Sequence, residues 1–166
     1  MINKWSLLMM AFILVGASFA GAQAIKDGEG KMTLPDGSVY QGQFKDGAFE
    51  GQGTLTFPNG DKYVGGFKEG KFDGQGKLDC ADQRQYVGEF KDGLYDGQGV
   101  LLYVDGSKYE GQFREGQIEG QGLLTYADGT QYKGQFKEGD FDGAVAVDSS
   151  GKPISSNTSS PSASTK

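Results

Sequence analysis

The chain contains no histidine. That absence removes Ser-His and Cys-His nucleophile pairs and the usual zinc and haem ligands. There is one cysteine, Cys80, so no intramolecular disulfide can form and stability must come from packing. Basic residues are outnumbered, 16 against 22 acidic, for a net charge of -6. Affinity for phosphate backbones comes from clustered Lys and Arg, so nucleic acid is excluded as an expected partner. No motif calls for a cofactor, and none identifies a small-molecule substrate. At 166 residues the chain has room for one domain of ordinary size.

Long apolar runs are also missing, with one exception at the N-terminus. Residues 1–4 carry a single positive charge, residues 5–19 are almost uniformly apolar, and Ala22-Gln23-Ala24 supplies the small-x-small pattern that a signal peptidase reads. The expectation is a signal helix over residues 1–24, cleaved after Ala24, with Ala20 as the second choice, and a periplasmic or secreted mature chain. The alternative is an uncleaved anchor, since the stretch approaches the roughly 20 residues that cross a bilayer. Gly16, Ser18 and Gly21 weaken that alternative. Cleavage leaves 15 basic against 22 acidic residues, a net charge of -7.

What is abundant is glycine, 29 residues of it, and it is periodic. Aligned with itself, the chain repeats every 23 residues without insertions. Tyr40, Tyr63, Tyr86, Tyr109 and Tyr132 open successive copies, and Phe44, Phe67, Phe90, Phe113 and Phe136 follow four positions later. Between them stand Gly42, Gly65, Gly88, Gly111 and Gly134, and a second glycine pair recurs from Gly28/Gly30 to Gly120/Gly122. Within each copy apolar positions alternate with period 2, as strands require. Asp36-Gly37, Asn59-Gly60, Asp105-Gly106 and Asp128-Gly129 lie between the strands, where two-residue hairpin turns with positive φ at both positions are expected. The expected fold is therefore all-β, with five hairpins over residues 28–136 and a stub strand over 143–147.

Glycine inside a strand ordinarily weakens it and marks the close approach of another group. In Tyr-x-Gly-x-Phe the glycine lies on the aromatic face, so a ring from the neighbouring strand is expected to lie flat over the bare backbone. A further series, Phe49, Phe72, Tyr95, Ile118 and Phe141, falls in what read as connections between hairpins, and is expected to fold back over the aromatic ladder. One 23-residue unit cannot bury enough surface alone, so neighbouring units must stack.

The unit Tyr-x-Gly-x-Phe-x-x-Gly-x-x-x-Gly-x-Gly followed by an Asp-Gly or Asn-Gly turn resembles the MORN repeat (membrane occupation and recognition nexus), from Gly28 to about Gly143. The resemblance implies a single-layer array of antiparallel β-hairpins that binds proteins or associates with membrane phospholipids. It implies no catalytic residues. The domain organisation then reads as signal segment 1–24, repeat array 25–147, and a Ser/Thr-rich tail 148–166 that cannot bury a core. Two departures stand out: Cys80 takes the place held by Phe57 and Tyr103, and Asp82-Gln83 replaces the Asp-Gly turn. The third hairpin is expected to be the loosest.

With histidine absent, carboxylates remain as candidate chemistry. Asp46/Glu50, Glu69/Asp73, Asp92/Asp96, Glu115/Glu119 and Glu138/Asp142 recur with the period along one edge. A glycosidase pair would need one special site with a raised pKa, and repetition in five copies argues against it. Calcium is a second reading. However, Lys45, Lys68, Lys91, Arg114 and Lys137 precede the first acid of each pair, which favours a mixed-charge rim that discourages aggregation. Cys80 reads as a small apolar side chain in phase with the aromatic ladder, or else as a reactive thiol or intermolecular disulfide partner. Asn157-Thr158-Ser159 fits a glycosylation acceptor relevant only to a eukaryotic secretory route.

The face opposite the ladder carries the candidate interaction site. Lys31, Thr33, Thr54 and Thr56 suit water there, whereas the fourth hairpin presents Val100, Leu102 and Val104, with Val87 on the strand beside them and Leu123 two strands on. A single-layer sheet leaves such a face uncovered, and exposed apolar patches mark interaction sites. The expected partners are a protein, a phospholipid surface or a second copy of the chain. The alternative reading of the whole is a membrane-anchored structural spacer of the cell envelope.

Overall fold

A computed structural model describes residues 25–142, 145–147 and 152–153. The expected signal helix over 1–24 lies outside the described residues, as does most of the tail expected over 148–166. Ten strands run in order, β1 (Gly28–Thr33), β2 (Val39–Lys45), β3 (Ala48–Thr56), β4 (Lys62–Lys68), β5 (Lys71–Asp79), β6 (Gln85–Lys91), β7 (Leu94–Leu102), β8 (Lys108–Arg114), β9 (Gln117–Thr125) and β10 (Gln131–Lys137). Each pairs antiparallel with its sequence neighbours. Two short strands, β11 (Asp140–Phe141) and β12 (Val145–Val147), pair with different parts of β10. Val147 also forms an isolated bridge with Pro153. The fold is all-β in one open sheet, as its repeat pattern predicts, and among the described residues no helix is long and apolar enough to cross a membrane.

The turns are corrected by the structure. The two-residue turns with positive φ at both positions are Asp46-Gly47 (φ 50 and 82), Glu69-Gly70, Asp92-Gly93, Glu115-Gly116 and Glu138-Gly139, the segments read from sequence as connections. They join Lys45 to Ala48 and Lys68 to Lys71 as directly opposed pairs. The sites expected to hold such turns have three-residue loops instead. Leu34 N–H donates to Ser38 O and Gly37 N–H to Leu34 O, so residues 35–37 form the loop and only Gly37 (φ 88) is left-handed. The preceding Asx keeps negative φ because its carboxylate or amide oxygen accepts the amide two residues on, as in Ser38 N–H to Asp36 Oδ1 at 2.9 Å. This is the turn-plus-bulge solution for hairpins with three-residue loops.

Four of the strands that follow a tight turn, β3, β5, β7 and β9, also carry a bulge. Gly42 opposes Gly53 and Gln43 opposes Glu50, which leaves Gly51 and Gln52 as extra residues on β3. The same irregularity recurs on β5, β7 and β9. Bulged strands bend, and here the bend brings Phe49 parallel onto the Tyr40 ring, with centroids 3.8 Å apart and planes 10° apart. Phe72 on Tyr63 and Tyr95 on Tyr86 repeat it. The far side of each tyrosine ring rests on the glycine pair. A Cβ on Gly53 would stand 2.6 Å from the Tyr40 hydroxyl, so only glycine fits. The hydroxyl donates to a carbonyl at the bulge, Tyr40 to Gln43 O at 2.8 Å and Tyr86 to Glu89 O at 2.9 Å.

Units are joined edge to face. Phe67 of the next copy meets Tyr40 at 5.0 Å, Phe90 meets Tyr63 and Phe113 meets Tyr86. Tyr40, Tyr63, Tyr86 and Tyr109 are thereby fully buried within a sheet only one layer thick. Tyr132, on the last long strand, is half-buried. In the third hairpin Gln83 takes the left-handed position (φ 73), and the loop keeps the bonds of its siblings, Cys80 N–H to Arg84 O at 2.8 Å and Gln83 N–H to Cys80 O at 2.9 Å. The substitution thus leaves the hairpin's hydrogen bonding intact.

Candidate interaction surface

The carboxylates at the tight-turn end have structural partners. Oε2 of Glu50 accepts the backbone amide of Glu69 at 3.1 Å, Asp27 accepts that of Asp46, and Asp96 accepts that of Glu115, each 19 residues ahead. Asp27, Glu50 and Asp96 therefore each cap the tight turn of the following copy. Beside these caps a backbone bond repeats the link, Gly70 N–H to Phe49 O and Gly93 N–H to Phe72 O. The Lys71 ammonium, 2.9 Å from Asp92, holds that carboxyl below its ordinary range, opposite to what a general acid needs. Among the described residues no group of three or more His, Cys, Asp or Glu is placed to hold a metal ion.

Cys80 is half-buried in the ladder's margin, where burial pushes its thiol up while Arg84 pulls it the other way. That shift reduces thiolate and suits the reading of a small apolar side chain in the ladder. Next to it, the Arg84 amide and guanidinium hold Asp82 down, fixing the glycine-free loop.

On the opposite face, strand pairing sets side chains in rows across the sheet. Val64 of β4 is opposed by Lys77 of β5, Lys77 by Val87 of β6, and Val87 by Val100 of β7. The row continues through Glu110, Leu123 and Lys133 to Val145. One turn along the strands, Asp79, Gln85, Leu102 and Lys108 form the neighbouring row. Val87 and Leu102 are exposed, at 44% and 37%, whereas Val100 and Leu123 are half-buried. These four expected residues share the face. Val104 does not: it lies beyond the end of β7 in the three-residue loop, where its siblings are Pro35, Pro58, Ala81 and Ala127, and it is exposed there. The alternation in the sequence runs two residues past the end of the strand, which stops at Leu102. Val64 (42% exposed) belongs to the patch and was missed, although it stands one period before Val87.

The bare backbone of Gly88, Gly99, Gly111 and Gly122 floors an open trough of about 750 Å³, with Gln75, Gln98 and Gln121 on one side and Val87, Val100 and Leu123 on the other. Its charged lining is Glu110 and Lys133, and beside it the face carries two ion pairs, each on a single strand, Lys77–Asp79 at 3.2 Å on β5 and Lys108–Glu110 at 2.7 Å on β8. Such pairs contribute little to stability but give the face a definite charge pattern.

A solenoid of hairpins with a closed aromatic side and an open mixed side defines the class as a repeat-array protein. Residues 25–39, 40–62, 63–83, 86–108 and 109–131 match the MORN repeat, and the chain belongs to that family. No curated protein matches the chain. Among solved structures it is similar to the TCP domain of SAS-4 (dCPAP) of Drosophila melanogaster, solved in complex with a proline-rich motif of Ana2 (dSTIL), with 16% identity over 85% of this chain and 94% of that chain and a TM-score of 0.33. The TCP10 domain of Danio rerio CPAP matches at 26% identity over 75% and 80%, with a TM-score of 0.29. The CPAP G-box domain matches at 25% over 64% and 74%, with a TM-score of 0.20. Likeness at these TM-scores carries no argument about function. Family membership makes the chain a repeat protein of the kind that serves protein or membrane binding.

Proposed function

We propose that the chain is an exported, non-enzymatic binding module that docks a protein partner on the open face around Val87, Val100, Leu102 and Leu123. The observation that carries this reading is the patch of exposed Val64, Val87 and Leu102 with half-buried Val100 and Leu123, on a side of the sheet that no other element among the described residues covers. Supporting it, members of the recurrent carboxylate series have structural partners: Glu50 and Asp96 cap turns, and Asp92 and Glu119 pair with Lys71 and Arg114. A protein is favoured over a phospholipid surface because a net charge of -6 opposes anionic headgroups. Crosslinking in the native compartment followed by pull-down tests it, with liposome flotation in parallel. Recovery of a protein crosslinked at the open face is the expected result; flotation with anionic vesicles and no crosslinked protein would overturn it.

Export rests on residues 5–19 and Ala22-Gln23-Ala24. The same apolar run favours the second reading, an anchored spacer of the cell envelope. N-terminal sequencing separates the two: a start at Ile25 supports export, and an intact Met1 in carbonate-washed membranes supports the spacer.

A further inference from the structure

The two rows of the open face are self-complementary about one line. Reading outward from the boundary between β6 and β7, the first row places Val87 and Val100 nearest the line, then Lys77 and Glu110, then Val64 and Leu123. The second row places Gln85 and Leu102 nearest, then Asp79 and Lys108. A two-fold axis along that line, parallel to the strands, sets each residue of one copy over its mirror partner in the other. Valine then meets valine, Lys77 meets Glu110, and Asp79 meets Lys108.

We propose that the occupant of this face is a second copy of the chain, packed face to face about a two-fold axis between β6 and β7, with Lys77–Glu110 and Asp79–Lys108 pairs formed across the interface on both sides of the axis. The inference rests on the reading of this face as a docking surface and names its partner. Interfaces with two-fold symmetry require the same patch to complement itself, and a face with one sign of charge could not. Here Lys77, Asp79, Lys108 and Glu110 sum to zero, and the strands also bring Lys62, Glu89 and Lys133 to this face, so both signs are present although the chain as a whole is acidic.

The choice of axis is narrow. Between β8 and β9 it would set Glu110 against Leu123 and Val100 against Lys133, leaving charges on apolar groups. On β7 itself it would set Val87 against Glu110. The β6–β7 axis matches apolar with apolar and charge with opposite charge throughout the first row; in the second it pairs Asp79 with Lys108 and sets Gln85 against Leu102.

Geometry permits the contact. Packed sheets cross at about 30°, and β5 and β8 lie about 7 Å from the axis at a strand spacing of about 4.8 Å. The charged partners therefore slip by roughly 4 Å, within reach of a lysine side chain. Eight strands by three alternate residues cover on the order of 700 Å² per copy, close to the roughly 800 Å² per partner of standard interfaces. A reversible, concentration-dependent dimer is the expected species.

The test is a charge exchange followed by sedimentation equilibrium, on protein purified as its host processes it. Lys77→Glu sets acid against acid on both sides of the axis, and Glu110→Lys sets base against base. Each variant alone should dimerise at least ten-fold more weakly than the wild type, with an unchanged far-UV spectrum. Mixed in equal amounts, the two should form a heterodimer, because both of its cross-interface pairs are again of opposite sign. A monomeric wild type at every concentration overturns the proposal, as does a mixture no more associated than its components. If the dimer fails while substitution of Val100 and Leu102 still abolishes capture of another protein, the self-pairing falls and the docking reading stands.

Discussion

The rings of Tyr86 and Tyr95 lie nearly parallel, with centroids 3.8 Å apart and planes at 14°, and burial pushes both hydroxyls above their ordinary range. The same burial raises Tyr63, and it raises Tyr40 and Tyr109 to about 12 from an ordinary 10.0. Between pH 10 and 12 the unfolded chain therefore loses tyrosine protons that the folded chain keeps. Fewer protons bound in the unfolded state make stability fall as pH rises. The fold should hold its full stability below pH 10 and unfold cooperatively through that window, with tyrosinate absorbance and far-UV signal changing together. Complete tyrosine ionisation near pH 10 with the fold intact would contradict the buried ladder.

The glycine under each ring is a space requirement. A Cβ on Gly99 would stand 2.6 Å from a ring carbon of Tyr86, and the ring is held on its other face by Tyr95. Gly99→Ala should destabilise by about 1–3 kcal/mol, the usual range for overpacking. Tyr86→Phe should cost about 1 kcal/mol through the lost bond to Glu89 O. Urea titrations of both variants check the order.

Glu69 sits at φ 49, a conformation that L side chains other than Asn and Asp adopt reluctantly. Its backbone amide, rather than its side chain, makes the bond to Glu50. Glu69→Asn should therefore stabilise by about 0.5–1 kcal/mol, while Asp46→Asn should change little, since Asp46 already tolerates the same geometry. Thermal melts of the two variants, compared with the wild type, test the assignment of the tight turns.

Much of this was legible because the copies are so regular. Tyr63 and Phe67 recur at constant spacing without insertions, so one alignment placed every ladder residue on the correct face. The tight turns were misplaced because Asp-Gly occurs at both ends of the hairpins. Asp36-Gly37 and Asp46-Gly47 look alike as dipeptides, and only the hydrogen bond from Gly37 N–H to Leu34 O shows which loop has three residues. The bulge at Gly51-Gln52 was hidden for a related reason, because glycine signals freedom without naming its use. Val104 was assigned to the open face by extending the alternation of Val100 and Leu102 past the end of the strand. The pairing of Val87 with Val100 and of Lys77 with Val87 depends on register between strands, which a period along the chain does not state.

Val100→Thr combined with Leu102→Thr is the measurement that bears most directly on binding through the open face. Both side chains stand on β7 facing away from the ladder, and threonine removes apolar area while keeping or adding β-branching, so the sheet should survive. Crosslinking and pull-down from the native compartment should recover the wild type with its partner and the double variant without it, at equal far-UV signal and equal yield. Unchanged partner recovery by a folded double variant would contradict the account.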